Sequence, residues 1–493
     1  MLLLLILIAP FAGAVIVALG APARATALIS SALALIATLA ALTFYNPAQP
    51  GFQQLLSIPI SAEWGLSFTL GADGLSLVMI LLATIVTLAA VWFAGKIDKH
   101  ESAFYACLLL IGGGAIGAFA SVDLFFFYAF HELALVPTFL LIGIWGTGNR
   151  AAAAWKITIY LAVGSFILLI GLIMLYQALP IGSRNFDIRA LQAAAATGRL
   201  APDAQSRIYL FLLLGFGILI SLFPFHSWAP EAYAAAPSPA AMLHAGVLKK
   251  FGLYGLLRLA VPLLPEGARA WTSLLLTLLL GNIIYIGLVT IAQKKLDWML
   301  GYSSVMHMGY IFLGIASANI LGTTGAAILI LAHGLSIALL FAVAGEIRRR
   351  TGTLDFADLG GLAKVMPYAG LAFGIGAFAA IGLPGLANFA GEVLIFFAAF
   401  RTGWEIERFH FFQLATVLAL WGVVISTIYM LRAYRRVFMG ALPPVWNELV
   451  DFRGLLRVGA GLLAAALLWF GFFPQSLVRL VTPAFQTYFT AKQ

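Results

Sequence analysis

Long apolar runs separated by short polar connections organise this chain from end to end. A helix needs about 20 apolar residues to cross the hydrocarbon core of a bilayer. Runs of that kind lie near 2–20, 25–44, 73–95, 103–120, 122–146, 154–179, 207–223, 240–262, 271–292, 298–318, 323–346, 367–400, 410–432 and 455–475. The pattern predicts an all-α polytopic membrane protein with about 14 transmembrane helices. The first run has neither a charged leading region nor a small-residue cleavage site, so it is expected to be a first span rather than a removed signal peptide. Two runs are interrupted, one by Leu222-Phe223-Pro224-Phe225-His226-Ser227-Trp228 and one by Gly382-Leu383-Pro384-Gly385. Irregular backbone at membrane depth persists only where protein or water satisfies its freed amides and carbonyls. A pair of interrupted spans is the hallmark of transporters built from inverted repeats.

Composition narrows the function. Of 493 residues, 62% are apolar and 10% charged, against roughly 25% charged in soluble domains. A soluble enzyme is excluded, and no connection is long enough for an extramembranous catalytic domain. The single Cys107 lies in an apolar run, which excludes a disulfide framework, a thiolate zinc site and an iron–sulfur cluster held by this chain. The net charge of +9 reflects loop charge and not nucleic-acid binding. Alternate loops gather Arg24, Lys96, Lys99, Arg150, Lys294, Lys295, Arg348, Arg349, Arg350, Lys364, Arg432, Arg435, Arg436 and Arg453 on one side. The positive-inside rule makes that side cytoplasmic and turns both termini outward. Outside, residues 51–74 alternate around Trp64, Leu66, Phe68 and Leu70 as a hairpin would, and the polar stretch 180–206, with Arg184, Asp187, Arg189 and Arg199, predicts a surface helix and cap.

A charge at the bilayer centre costs at least about 2.5–3.5 kcal/mol, so each buried ionisable residue needs a reason. The candidates are Glu132, Lys156, Lys249, Lys250, His307, His333 and Glu392, spread over separate spans. Carboxylates, lysines and histidines in this distribution are the components of a proton relay. Desolvation and neighbouring charge can bring a buried lysine or carboxyl to exchange protons near neutral pH, and histidine can pass them on. Lys156 lies close enough to a helix end to snorkel. His131, His226 and His244 read as packing or helix-break residues, with His244 a possible relay member. A spacer whose charges merely hold helices together is the bland reading of the same residues.

Six ordered motifs carry a resemblance. They are Gly71 to Ser76, Glu132 to Gly146, Pro224 to Pro230, Tyr302 to Gly309, Ala332 to Ser336 and Gly382 to Glu392. Together they resemble the antiporter-like proton-translocating subunits of respiratory complex I, and within them the chain M (subunit 4) branch of NADH:quinone oxidoreductase. The resemblance spans nearly the whole chain. It implies two inverted five-helix repeats with broken seventh and twelfth spans: N-terminal helices and hairpin at 1–102, repeats at 103–262 and 263–432, and a loop with a last helix at 433–493. It further implies that NADH, FMN, iron–sulfur clusters and quinone belong to partner subunits, with no cofactor on this chain. The implied setting is a bacterial inner membrane, beside other complex I membrane subunits. By position, Glu132 matches the family's gating glutamate, Lys250 its eighth-helix lysine, His307 and His333 its central histidines, and Glu392 the outward glutamate.

One position departs. The family places a lysine seven residues before the histidine matched by His226, and here that residue is Leu219. The lysine normally pairs with the glutamate matched by Glu132. Lys249 or Lys156 is the expected replacement. Successive helix residues point about 100 degrees apart, so Lys249 and Lys250 are expected to face different neighbours. Two active alternatives share the motifs: a subunit of a multisubunit cation/proton antiporter, and one of an energy-converting hydrogenase-type complex. Glu392 favours complex I, because the antiporter relatives commonly carry lysine there.

Overall fold

The computed structural model describes residues 1–198, 200–403 and 410–489. Arg199 of the expected outside cap lies beyond them. Inside a bilayer the backbone must close its own hydrogen bonds, and the apolar runs do so as helices. In chain order these are α1 (Leu2–Ala18), α2 (Ala23–Thr43), α3 (Gly74–Ala94), α4 (Glu101–Ala120), α5 (Leu124–Trp145), α6 (Arg150–Gln177), a surface helix α7 (Ile188–Ala196), α8 (Pro202–Ile220) and α9 (Trp228–Ala235). The next run holds α10 (Ser238–Leu243), α11 (Lys250–Gly255) and α12 (Val261–Leu263), separated by π-helical turns at His244–Leu248 and Leu256–Ala260. Then come α13 (Pro265–Ala270), α14 (Thr272–Leu280), a third π-helical turn at Gly281–Tyr285, α15 (Ile286–Ala292), α16 (Leu296–Ala316) and α17 (Ile320–Thr351). α18 (Pro367–Ile381), α19 (Ala387–Arg401), α20 (Phe411–Phe438), α21 (Leu455–Phe472) and α22 (Gln475–Phe489) complete the set.

Eleven described helices are long and apolar enough to cross a membrane. The other three expected spans are α1, at 17 residues, the α10–α12 run and the α18–α19 run. The fold class is as expected, and the count of fourteen is not confirmed: α1 is short, the α10–α12 run is broken into brief segments and a break divides the α18–α19 run. The expected hairpin is present as β1 (Gln53–Ser61) against β2 (Leu66–Ala72), antiparallel with Ile58 opposite Phe68. Carboxylates cap the helices it meets: Asp73 accepts from the Ser76 amide, and Asp123 from the Phe125 and Phe126 amides.

The 32-residue α17 is the axis of the bundle, packed against α3, α10, α16, α18, α19, α21 and α22. Its apolar window is entirely buried. α2, α5, α6, α20 and α21 keep large apolar side chains exposed on their outer faces. The two broken runs occupy matching places, α6 packing on α8 and α9 as α17 packs on α18 and α19.

Each break has its own backbone partners. After α8, Ser221 adopts a left-handed φ of 71°. Asn282, in the third π turn, donates to the Ser221 and Val305 carbonyls and accepts from the Phe223 amide at 2.7 Å. The Trp228 indole donates to the Ile218 carbonyl. At the second break, Gly382 takes φ +83°, its amide and that of Leu383 close onto the Ala379 and Phe378 carbonyls, and the Ala380 carbonyl faces His307.

Candidate functional site: a buried row of amines and imidazoles

The π turn at His244–Leu248 sets the orientation of the two lysines. Where it meets α17, Gly246 and Gly334 bring the two backbones so close that a methyl at Gly246 would lie 3.0 Å from the Gly334 carbonyl oxygen. That approach puts Lys250 beside His333, its Nζ 2.8 Å from Nδ1. Lys249 points elsewhere, toward α16 and α9: its Nζ donates to the Ser304 carbonyl at 3.3 Å and lies 5.8 Å from the centre of the Tyr233 ring. Both lysines are fully buried, and among the described residues neither has a carboxylate within ion-pair distance.

His307 continues the row, its ring centre 5.5 Å from that of His333. Nδ1 faces the Ser303 carbonyl at 2.8 Å and Nε2 faces the Ala380 carbonyl at 2.7 Å. A neutral imidazole has one N–H, so satisfying both carbonyls takes the protonated ring. Ala380 is in the last turn of α18, where the helix dipole is negative and favours a cation. The Lys250–His333 bond forms with the proton on either partner, which makes it a place where a proton can change hands.

The two glutamates stand at opposite ends. Glu132, 32% exposed in its side chain, accepts from the Ser165 hydroxyl at 2.5 Å and lies 3.3 Å from His131 Nδ1. His131 and Phe127 both stack on Phe251, at 4.0 and 4.4 Å between ring centres. Glu132 thus adjoins, through His131, an aromatic cluster that includes the residue after Lys250. Glu392 is buried against the second break, and its Oε1 has no hydrogen-bond partner among the described residues. Tyr310 and Asn388 add buried polar atoms without hydrogen-bond partners among the described residues, and the Tyr310 ring is 5.7 Å from that of His307. Unpaired buried polar atoms mark places where water enters a structure.

A family profile described as "NADH:quinone oxidoreductase/Mrp antiporter, TM" matches residues 121–419, which hold both breaks and every residue named above. NADH-quinone oxidoreductase subunit M of Rickettsia felis is 32% identical over 458 residues, 92% of this chain and 90% of that protein. The chain belongs to this family. A solved structure described as respiratory complex I from Thermus thermophilus with bound NADH superposes with a TM-score of 0.90 at 29% identity, covering 100% of each chain. A Mrp complex from Dietzia matches at 0.86 and 21%, covering 99% of this chain and 97% of that one, a likeness of fold alone.

Against the family pattern, Leu219 packs on Gly164 of α6 and offers no amine. The expected replacements do not pair with Glu132. Lys249 turns away from it for the reason given, and Lys156 is bound to Glu231 with Nζ 2.6 Å from Oε2. His244 meets the Tyr233 hydroxyl at 3.3 Å and the edge of Trp228, inside electrostatic reach of Lys249 and His131. Sequence reasoning missed Glu231, Ser165, Tyr310, Asn388 and the buried Asp73–Arg258 pair. Glu231 carries a signal in hindsight, lying five residues beyond His226 in the first break. Asp73 was read only as part of a motif, and nothing local joins it to Arg258, 185 residues on.

Proposed function

We propose that this chain is a proton-translocating membrane subunit of NADH:quinone oxidoreductase, in a bacterial inner membrane with both termini outward. NADH oxidation, FMN, iron–sulfur clusters and quinone reduction belong to its partners, and electron transfer there drives protons through this chain. The helices at 103–262 and 263–432 act as two repeats joined at the buried row. Lys250, His333 and His307 pass the proton, Lys249 and His244 stand beside them, Glu132 senses the neighbouring subunit, and Glu392 releases the proton outward.

The observation that carries this reading is the Lys250–His333–His307 row, fully buried and without a carboxylate partner among the described residues, in a chain similar to subunit M over 92% of its length. A spacer would neutralise its buried charges, since an unpaired one costs several kcal/mol. The Mrp-type likeness extends to fold and leaves the antiporter as the second reading.

The test is to tag the chain, extract the intact complex in mild detergent and identify what co-migrates on a native gel while NADH:quinone activity is assayed. Flavin and iron–sulfur subunits with NADH oxidation are expected. Lys250→Met and Glu392→Gln should then lower NADH-driven proton uptake into inverted vesicles by roughly tenfold or more. Co-migration with small membrane subunits only would overturn the redox assignment.

A further inference from the structure

With leucine at 219 and Glu132 bonded to Ser165 and His131, the usual lysine–glutamate start of proton transfer is absent from α5 and α8. A different pair stands beside the first break. Lys156–Glu231 is the one lysine–carboxylate ion pair among the described residues. Its side chains are 35% and 28% exposed, and a pair as exposed as this contributes little to stability. Glu231 also lines a cavity of about 470 Å³ at the basic-loop end of the bundle, with Asn149, Asp297, Trp298 and Arg348.

Further proton-capable groups lie beyond the ion pair. One turn along α6 from Lys156, the Tyr160 hydroxyl is 3.1 Å from the Ser227 hydroxyl, four residues before Glu231. Next to Ser227, His226 has a buried Nδ1 that meets no hydrogen-bond partner among the described residues. Lys156 and Lys249 both lie within electrostatic reach of the His226 ring. Lys249 in turn bonds to Ser304, one turn before His307.

We propose that Glu231, held by Lys156, is the proton-loading carboxylate of this chain, feeding the buried row through Tyr160, Ser227, His226 and Lys249. The carboxylate takes a proton from water in the cavity, which releases Lys156 from the ion pair. The Tyr160 and Ser227 hydroxyls each accept a proton on one side and give one up on the other. The proton reaches His226 and then Lys249, and Glu231 returns to the carboxylate and to Lys156. The charged and titratable groups near Glu231 are Lys156 of α6, Tyr302 of α16 and, around the shared cavity, Lys295 at the start of α16, Asp297 of α16, Arg348 of α17 and Asp355 beyond it. This inference rests on the function proposed above.

The test uses the whole complex in liposomes, with pumping normalised to the NADH:ferricyanide reduction of the partner subunits. Glu231→Gln is expected to lower pumping by roughly tenfold or more, while Glu231→Asp, which keeps an acid, retains most of it. Lys156→Met, which leaves Glu231 without its cation, is expected to lower pumping severalfold, and Lys156→Arg, which keeps the cation, to retain most of it. A pair that only held helices together at this exposure would leave pumping in Lys156→Met near the parent. Parent-like pumping in Glu231→Gln or in Lys156→Met overturns the proposal. Where Glu231→Gln does not assemble, the comparison of Lys156→Met with Lys156→Arg decides. If the parent complex pumps nothing on NADH, the function reading falls. Glu231→Gln is then compared with the parent for proton flux under a potassium diffusion potential, and equal flux overturns the loading role.

Discussion

Lys249 and Lys250 are neighbours in the chain and strangers in the fold. One meets Ser304 and Tyr233, the other His333, as expected of successive helix positions. Their burial was legible, since two lysines sit amid Val247-Leu248 and Phe251-Gly252. Their partners were not, because Ser304 and His333 approach only through packing. The same holds for Asp73 and Arg258, whose Nη1 and Nη2 reach the two carboxylate oxygens at 2.7 and 2.6 Å, with Ser76 and Tyr254 around them. Breaking a buried pair on one side costs about 3–5 kcal/mol, whereas replacing both sides with apolar groups is often neutral. Asp73→Leu or Arg258→Met alone should therefore reduce the assembled complex on native gels and its melting temperature. The double variant should recover most of both, and a double variant as poor as the singles would refute the coupling.

At the scale of elements, the two breaks were visible as Pro and Gly inside apolar runs. The π turns were not, because they depend on how the chain packs, the first against α17 and α3, the second against α8 and the third against α16 and α20. Two substitutions probe the second break. At Gly382, φ +83° is strained for any side chain, and an added Cβ would collide with the Glu392 carboxylate. At Gly385, φ is +88°, but an added Cβ meets only Phe472, at 3.4 Å. Both alanines carry backbone strain of about 1–3 kcal/mol. Gly382→Ala should also displace Glu392 and lose most pumping, which Gly385→Ala should largely keep. His307 ties α16 to the end of α18 through Ala380. A cation at a helix C-terminus is worth roughly 0.3–2 kcal/mol, so His307→Lys should retain more pumping than His307→Leu, measured by NADH-driven dye quenching in vesicles. Equal loss in the two would show that the ring, and not its charge, is what the break needs.

Seen whole, the molecule keeps one face unfinished. α5 and α6 expose Val136, Trp155, Ile159, Val163 and Phe166 around the half-buried Glu132 carboxylate. Lipid alone would leave that carboxylate beside hydrocarbon, at a cost of a few kcal/mol, so a partner subunit should cover it. A cysteine at Val163, in a Cys107→Ala background, should resist a membrane-dissolved maleimide in the intact complex and react once detergent separates the chain. Equal labelling in both states would place this face against lipid.

What the sequence determined by itself is whatever depends on local composition: the apolar runs that must become helices, the two interruptions, the hairpin and the few ionisable residues that had to matter. Those follow from the cost of exposing backbone or charge to hydrocarbon, which each segment meets alone. The tertiary structure decided the partners: that Lys156 binds Glu231 and not Glu132, that Glu132 meets Ser165, that His307 closes α18, and that Asp73 meets Arg258. These contacts join residues dozens to hundreds of positions apart, and the pairing energy of any one exists only after the helices carrying it have packed.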